Sequence, residues 1–291
     1  MTAPDGLLVL DKPAGWTSHD VVARTRRLAR TRKVGHAGTL DPMATGVLVL
    51  GIGRATRLLG HLTLTEKTYR ATIRLGATTV TDDADGEVVE VRDSSHVTDA
   101  ALGAAVQRLR GPLHQVPSSV SAVKVGGVRS YARVRAGESV ELAARAVVVH
   151  RFEVLDRHGD DVEVVVECSS GTYVRALARD LGADLGVGGH LRALRRERVG
   201  PFTLDDAREL DALDEVSLDA AVVPLDQAAA AAFPRRQLSA QEAVDLSHGR
   251  PMVAGGVPGV VAAFAPDGRC VGLLRDDGTN ARPVAVLAPA G

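Results

Sequence analysis

The chain has 291 residues, of which 45% are hydrophobic and 24% charged, and its formal net charge is -1. That length and composition agree with an intracellular globular protein holding one large core and a smaller domain. Cys168 and Cys270 lie far apart without CxxC spacing, which argues against a disulfide framework and a zinc site. Neither a basic N-terminal flank nor a long apolar run suggests export or membrane insertion, so we expect a cytoplasmic protein without membrane contact.

The first 200 or so residues predict strands and helices that do not alternate strictly. Residues 6–11 are a predicted strand, and Ser18 is the predicted N-cap of a helix whose arginines face outward. The apolar face of that helix consists of Val21, Val22, Thr25, Leu28 and Ala29. Later strands are predicted at 47–50, 69–75, 147–155 and 161–168, and helices at 101–109 and from Gly171 to about Leu185. This order favours a mixed α+β fold over a doubly wound parallel sheet.

The C-terminal part is predicted to follow a hinge. Pro224, an alanine run at 228–232 and Pro234 indicate that hinge between about 224 and 238. Beyond it, Ser239 and Glu242 predict a capping box that opens a short helix, and residues 260–275 predict a hairpin turning at 266–268. We therefore expect one domain at 1–228 and a second at 235–291.

The small net charge conceals an asymmetry along the chain. Residues 1–204 hold 28 basic and 23 acidic residues, a net charge of +5, whereas residues 205–291 hold 7 and 13, a net charge of -6. The basic residues fall in three clusters. They are Arg24, Arg26, Arg27, Arg30, Arg32 and Lys33; then Lys124, Arg129, Arg133 and Arg135; then Arg192, Arg195, Arg196 and Arg198. Each cluster alone is as consistent with a solvated surface as with a site, but the three together favour a polyanion partner such as RNA.

The segment 35–46, GHAGTLDPMATG, places one carboxylate in a loop rich in glycine just before an apolar strand. Its glycines allow backbone angles that other residues avoid, and Pro42 restricts the conformation of Asp41. A lone Asp-Pro pair is more often an ordinary turn. The alternative is a rigid loop that presents Asp41 as a reactive group, and other residues must decide between the two.

Those other residues resemble the pseudouridine synthases of the bacterial TruB type. The resembling segments are 6–13 (GLLVLDKP), 17–20 (TSHD), 35–46, 67–70 (KTYR), 82–86 (DDADG), 116–124 (VPSSVSAVK), 168–175 (CSSGTYVR) and 191–196 (LRALRR). They occur in the order found in that family and cover about two thirds of the chain. The likeness fades after residue 204.

The resemblance implies a fold and an activity. The fold is a catalytic domain with a central, mostly antiparallel sheet and a thumb-like insertion at about 117–145, followed by a small PUA-like, β-rich domain. The activity is isomerisation of uridine 55 in the T loop of tRNA to pseudouridine. Breaking the C1′–N1 bond and making a C1′–C5 bond needs a carboxylate but no redox cofactor, and no metal is expected.

The resemblance also assigns residues to the site. Asp41 becomes the nucleophile or base, with Arg175 as the partner that keeps it charged. Tyr69 becomes the platform for the flipped uridine, and its phenol could also assist proton removal at C5. His36, Tyr173 and Leu194 match positions that contact the substrate. Taken alone, these four could equally be core or loop residues, and Asp83 could be a second acid or part of a hairpin turn.

Two other functions remain open. An RNA-binding protein that chaperones tRNA folding without turnover would need the same basic surface. A glycoside or nucleoside hydrolase would need a second carboxylate, which the sequence does not offer at an equivalent position. No phosphate loop, HExxH pair or GxSxG elbow is present. The preferred interpretation is a monomeric tRNA pseudouridine synthase that requires no cofactor and no protein partner.

Overall fold

The computed structural model of the chain describes residues 4–118, 124–125, 128–129 and 142–290. It shows a mixed α/β fold with a large, mostly antiparallel sheet, and this confirms the predicted class. The chain divides into two compact units. Unit 1 takes its described residues from Met1–Pro42, Gly46–Thr63 and Val199–Gly291, and unit 2 takes its own from Met43–Thr45 and Leu64–Arg198.

Most strands in the first part of unit 1 pair with β1 or with its neighbour β3. The strands are β1 (Gly6–Lys12), β2 (Val34–His36), β3 (Thr45–Ile52), β13 (Phe202–Thr203), β14 (Arg208–Glu209) and β15 (Val223–Pro224). β1 pairs antiparallel with β3 and β15 and parallel with β14, while β2 adds to β3. Helices α1 (Ser18–Leu28), α2 (Leu59–Thr63), α5 (Glu215–Ala221) and α6 (Leu225–Ala232) complete this part. Of the residues predicted to face the core from α1, Val21, Val22, Thr25 and Ala29 are buried, whereas Leu28 is half-buried.

The C-terminal part of unit 1 is a β-rich sheet with one helix. Its strands are β16 (Arg235–Gln237), β17 (Met252–Val253), β18 (Val260–Phe264), β19 (Cys270–Asp276) and β20 (Asn280–Val286), in the order β16-β18-β19-β20-β17, and its helix is α7 (Ala240–Ser247). The predicted hairpin at 260–275 is confirmed as β18 and β19. The capping box of Ser239 and Glu242 is also confirmed.

Strand β18 is buried on both faces, which explains its apolar composition. Ala262 and Phe264 belong to the same core cluster as Leu7 and Val49, whereas the alternate residues of β18 pack toward Leu246 of α7. Successive side chains of a strand point to opposite faces, so one strand can serve two cores. The C-terminal sheet thus shares its core with the N-terminal strands of unit 1.

The predicted hinge at 224–238 is instead ordered secondary structure. Its alanine run forms α6, where Ala228 and Ala229 are fully buried in the core shared with β1. Strand β16 follows and pairs with β18. The prediction of a hinge was wrong because a run of small apolar residues also suits a helix packed closely against a sheet. The division at 228 and 235 into two domains stays a prediction.

Unit 2 is a second arrangement of strands with two long helices. Its strands are β4 (Lys67–Leu75), β5 (Ala77–Thr79), β6 (Val88–Val91), β7 (Gly111–Gln115), β8 (Lys124–Val125), β9 (Val128–Arg129), β10 (Arg145–His158), β11 (Asp161–Cys168) and β12 (Gly189–Val199), with α3 (Asp99–Arg108) and α4 (Val174–Asp184). The strand order is β12-β4-β11-β10-β7, and β5 pairs with β6. Most of the thumb-like insertion predicted at 117–145, including Arg133 and Arg135, lies outside the described residues.

Lys67 is an unusual buried cation at the start of β4. It lies opposite Cys168 in the β4–β11 register, and its Nζ donates to the carbonyl of Thr65 at 2.6 Å. Burial, followed by the nearby Arg196 charge, lowers the pKa of Lys67 to about 8. Burial also raises the pKa of the Cys168 thiol to about 11, so that thiol remains neutral at lower pH.

This burial predicts a change of stability with pH. Because the pKa of Lys67 is lower in the folded chain than in the unfolded chain, the unfolded chain binds more protons between about pH 8 and pH 10.5. The contribution of Lys67 to the free energy of unfolding should therefore rise over that range, by at most about 2 kcal/mol between about pH 7.5 and pH 9.5, while the raised pKa of Cys168 acts in the opposite direction in both proteins. Urea denaturation of wild type and Lys67→Met at both pH values measures this, and an equal pH slope in the two proteins would contradict it.

Candidate active site

The loop that carries Asp41 is anchored immediately after that residue. The carbonyl of Pro42 accepts hydrogen bonds from the Gly15 amide at 2.8 Å and from Lys12 Nζ at 3.2 Å. Lys12 is fully buried, and its ammonium also donates to the carbonyls of Pro13 and Trp16 at 2.9 and 2.7 Å. A buried ammonium needs such acceptors, because stripping its hydration without them would be very costly. Lys12 therefore ties β1 and the segment after it to the loop.

A second anchor lies immediately before Asp41. The buried hydroxyl of Ser18 accepts from the Leu40 amide at 2.9 Å and donates to the Leu40 carbonyl at 3.1 Å. Ser18 was predicted to be the N-cap of α1, and that prediction was wrong. The N-cap is Thr17, which forms a capping box with Asp20. This leaves the Ser18 side chain available to hold the loop, and Asp41 is half-buried between two fixed neighbours.

Substitution of Ser18 by alanine should slow turnover without preventing folding. The change removes both bonds to Leu40 and leaves that buried amide without its acceptor, at a cost of about 1–3 kcal/mol. We expect kcat to fall by about tenfold or more with little change in KM, because a displaced loop affects reaction more than binding. Steady-state kinetics tests this, with Ser247→Ala on α7 as the control. An unchanged kcat would show that Ser18 does not position Asp41.

His36 lies in the same unit as Asp41, at the end of β2. It is half-buried and pairs with Leu50 of β3. The His19 ring packs edge to face against the His36 ring, with 5.8 Å between ring centroids. The strand pairing and the ring contact restrict the orientation of His36 beside the Asp41 loop.

Arg175 lies in unit 2, in the first turn of α4, and there it forms a buried ion pair. Its Nη1 is 3.2 Å from Asp83 Oδ2, and each side chain is only 6% exposed. Arg175 also donates to the Thr81 carbonyl at 2.9 Å, while Asp83 Oδ1 accepts from the Thr81 hydroxyl and the Asp85 amide. The segment 82–86 therefore lies in the connection between β5 and β6, and it also supplies Asp83, the ion-pair partner of Arg175.

The same connection reaches β12. Asp83 forms a β-bridge with Leu191, supported by the bond from the Ala84 amide to the Leu191 carbonyl at 2.9 Å. Leu194 lies further along β12 and is mostly buried. β12 is the neighbour of β4, which carries the buried ring of Tyr69. Arg175, Asp83, Leu194 and Tyr69 thus lie on connected elements of one unit.

Tyr173 is the N-cap residue of α4, and Gln115 fixes its backbone. The Tyr173 amide donates to Gln115 Oε1 at 2.8 Å, and Gln115 Nε2 donates to the Tyr173 carbonyl at 3.1 Å. Arg145 lies over the Tyr173 ring, 5.9 Å from its centroid. Since the Gln115 side chain is buried, this pairing holds the start of α4, and with it Arg175, against the end of β7.

The predicted residues therefore fall into two groups, Asp41 and His36 in unit 1 and Tyr69, Tyr173, Arg175 and Leu194 in unit 2. Pairing between Asp41 and Arg175, and the roles of all six residues, stay predictions. Sequence reasoning gave no role to Lys12 or Gln115, and it made Ser18 a helix cap instead of a support of the Asp41 loop. Only the spacing of Thr17 and Asp20 could have shown that Ser18 was not the cap. Among the described residues, no group of three or more His, Cys, Asp or Glu is placed to hold a metal ion.

Comparison with known proteins places the chain in a family. The sequence model described as TruB family pseudouridylate synthase (N terminal domain) matches residues 26–174. Two C-terminal models, tRNA pseudouridylate synthase B C-terminal domain and tRNA Pseudouridine synthase II, C terminal, match residues 175–230 and 233–288. The chain belongs to the TruB family of pseudouridylate synthases. Enzymes of this family are isomerases, and the predicted enzyme class is confirmed.

Individual relatives agree with the family assignment. The chain is 61% identical to tRNA pseudouridine synthase B of Nocardia farcinica (strain IFM 10152), covering 98% of this chain and 94% of that one. It is 59% identical to the protein of that name from Paenarthrobacter aurescens (strain TC1), covering 98% and 95%. A solved H/ACA RNP bound to a substrate RNA containing 2′-deoxyuridine includes a chain with the same fold, at a TM-score of 0.74 and 25% identity over 99% of this chain and 87% of that one. In the part of this TruB-family chain that the structure describes, no helix is long and apolar enough to span a membrane.

Proposed function

We propose that this TruB-family enzyme converts uridine 55 in the T loop of tRNA to pseudouridine, with Asp41 as the reacting carboxylate. The observation that carries the proposal is the anchoring of the Asp41 loop on both sides, by Ser18 at Leu40 and by Lys12 and Gly15 at Pro42. A reactive group must keep its position while substrate bonds change, and an ordinary Asp-Pro turn needs no such anchoring. Relatives named tRNA pseudouridine synthase B support tRNA as the substrate.

The reaction rearranges one nucleotide without gain or loss of atoms overall. The C1′–N1 bond breaks, the uracil rotates, and C1′ joins C5. The C5 hydrogen then leaves as a proton, and N1 gains a proton. Asp41 acts as nucleophile at C1′ or as the base and ion-pair partner of the intermediate, since carboxylates serve in these ways at sugar carbons.

The other site residues bind the substrate. The target uridine must leave its stack before it can react, and Tyr69 supplies a ring on which uracil can lie and turn. His36, Tyr173 and Leu194 contact the surrounding RNA, and Arg175 favours the charged form of Asp41. The buried Asp83 carboxylate orients the guanidinium of Arg175.

Release of tritium from C5-labelled uridine in an unmodified tRNA transcript tests the proposal. The purified chain should release one equivalent per tRNA, and a transcript with cytidine at position 55 should release none. Equal release from both transcripts would contradict the assignment of position 55. Tight binding without release would favour the alternative of an RNA chaperone. Turnover with only chain and transcript present would support action without a protein partner, and with tRNA as substrate we place the enzyme in the cytoplasm.

A further inference from the structure

An open groove of about 600 Å³ lies along the first turns of α1, outside the residues assigned above. Gly15, Trp16, Asp20, Ala23, Arg26 and Arg27 line it. Residues three, four or seven apart share one face of a helix, so Asp20, Ala23 and Arg27 follow one another along a single wall. The volume lies within the range of small-ligand sites, and the groove is open enough for part of a longer molecule to enter.

The groove lies in a strongly basic surface. Among the described residues no ion pair joins Arg27, Arg32 or Lys33 to a carboxylate, and all three are exposed, whereas Arg24 pairs with Asp211 at 3.6 Å. Arg26 donates to the carbonyl of Val34 at 3.0 Å, which leaves its charge unneutralised. Such a cluster, in a stretch of ten residues without an acid, attracts phosphate groups.

Asp20 is the acidic residue that lines the groove, and its carboxylate is already hydrogen-bonded within the helix cap. Its carboxylate accepts from the Thr17 amide at 3.0 Å and from the Thr17 hydroxyl at 2.5 Å as part of the helix cap. These bonds lower the pKa of Asp20, so it stays charged. A phosphate therefore fits the Arg26–Arg27 end of the groove rather than the end at Asp20.

Trp16 is the one tryptophan of the whole sequence, and its side chain is half-buried. The Arg24 guanidinium lies 5.9 Å from the ring centroid. The groove is also joined to the catalytic loop, because the Gly15 amide donates to Pro42, the residue after Asp41. An aromatic ring with arginines beside it is the combination that binds an unstacked base together with its phosphate.

We propose that this groove is a substrate subsite that binds a nucleotide of the tRNA close to the target uridine, with its base stacked on Trp16 and its phosphate held by Arg26 and Arg27. The inference rests on the proposed function, because it takes tRNA as the substrate. The subsite adds a contact that none of the residues assigned above provides. It lies where Gly15 is hydrogen-bonded to the Asp41 loop.

Tryptophan fluorescence tests the subsite directly, since the signal comes from Trp16 alone. Titrating unmodified tRNA transcript into the full-length Asp41→Asn chain should quench the fluorescence, with a midpoint equal to the Kd from filter binding. In the same background, Trp16→Ala should weaken binding by about tenfold, and Trp16→Phe should retain most of the affinity. Arg27→Gln should weaken binding and lower the salt slope by about one, whereas Arg269→Gln on the β18–β19 turn should do neither.

The outcomes separate the subsite from the proposed function. Unquenched fluorescence at saturating tRNA, or equal Kd values for the Trp16→Ala and Trp16→Phe chains, would overturn the subsite. If the wild type still released tritium, the proposed function would stand. Quenching with the expected variant effects, in a chain whose wild type releases no tritium, would support the subsite and overturn the proposed function.

Discussion

Replacement of Asp41 by asparagine should abolish isomerisation while tRNA binding persists. The carboxamide has nearly the same size and fits the loop that Ser18 and Lys12 hold, but it carries no negative charge. It can neither attack C1′ nor balance a positive intermediate, so we expect tritium release to fall by at least about 10³-fold. The Kd for tRNA should stay within about threefold of the wild-type value, because the surrounding contacts remain.

The matched control is Asp267→Asn, the same chemical change on the exposed turn of the β18–β19 hairpin. Its rate of tritium release should equal that of wild type. If the Asp41→Asn chain kept a tenth of the wild-type rate, the carboxylate would not be the reacting group. If the Asp41→Asn chain instead lost both tritium release and tRNA binding, Asp41 would be acting mainly in substrate binding.

Disruption of the Arg175–Asp83 ion pair should cause a large decrease in the free energy of unfolding. Arg175→Met leaves the Asp83 carboxylate buried without its guanidinium, and an uncompensated buried charge costs about 3–5 kcal/mol. Thermal unfolding should therefore shift by about 10 °C to lower temperature. The Asp83→Asn chain should also lose stability, because the buried Arg175 guanidinium then loses the carboxylate of Asp83 that balances its charge.

The double variant Arg175→Met with Asp83→Asn separates stability from catalysis. With both charges removed, it should be more stable than either single variant, since no buried charge is left unpaired. Its rate of tritium release should remain low if Arg175 also serves the reaction. Recovery of both stability and rate in the double variant would limit the pair to a structural role.

Much of the fold was predictable from sequence because local patterns determine it. The alternation of 69–75 appears as the half-buried strand β4, and the turn residues at 266–268 mark the observed hairpin. The helix predicted after Gly171 is α4, which begins at Val174 with Tyr173 as its N-cap and Arg175 in its first turn. Each of these features depends on residues close together in the chain, which is the range over which periodicity and capping signals are informative.

The supports of the candidate site were not predictable in this way. Ser18 contacts Leu40 and Lys12 contacts Pro42. These partners are far apart in sequence and come close only when β1 and α1 fold together. Arg175 and Asp83 belong to elements even further apart in sequence. No local pattern encodes such contacts. The prediction of a hinge from the alanine run at 228–232 was wrong for the same reason, because only its packing with β1 shows that the run is a core helix.

The shared core of unit 1 has a consequence for the order in which the chain acquires structure during synthesis. Leu7 and Val9 near the beginning of the chain pack in one cluster with Phe264, Leu273 and Leu287. The residues of unit 2 between Leu64 and Arg198 emerge from the ribosome before that cluster can close. The last packing partners of β1 are therefore made only near the end of translation, and until then this apolar strand is exposed to aggregation or to chaperones. Unit 2 differs, because all but three of its residues lie in one continuous segment and it can fold as it is made.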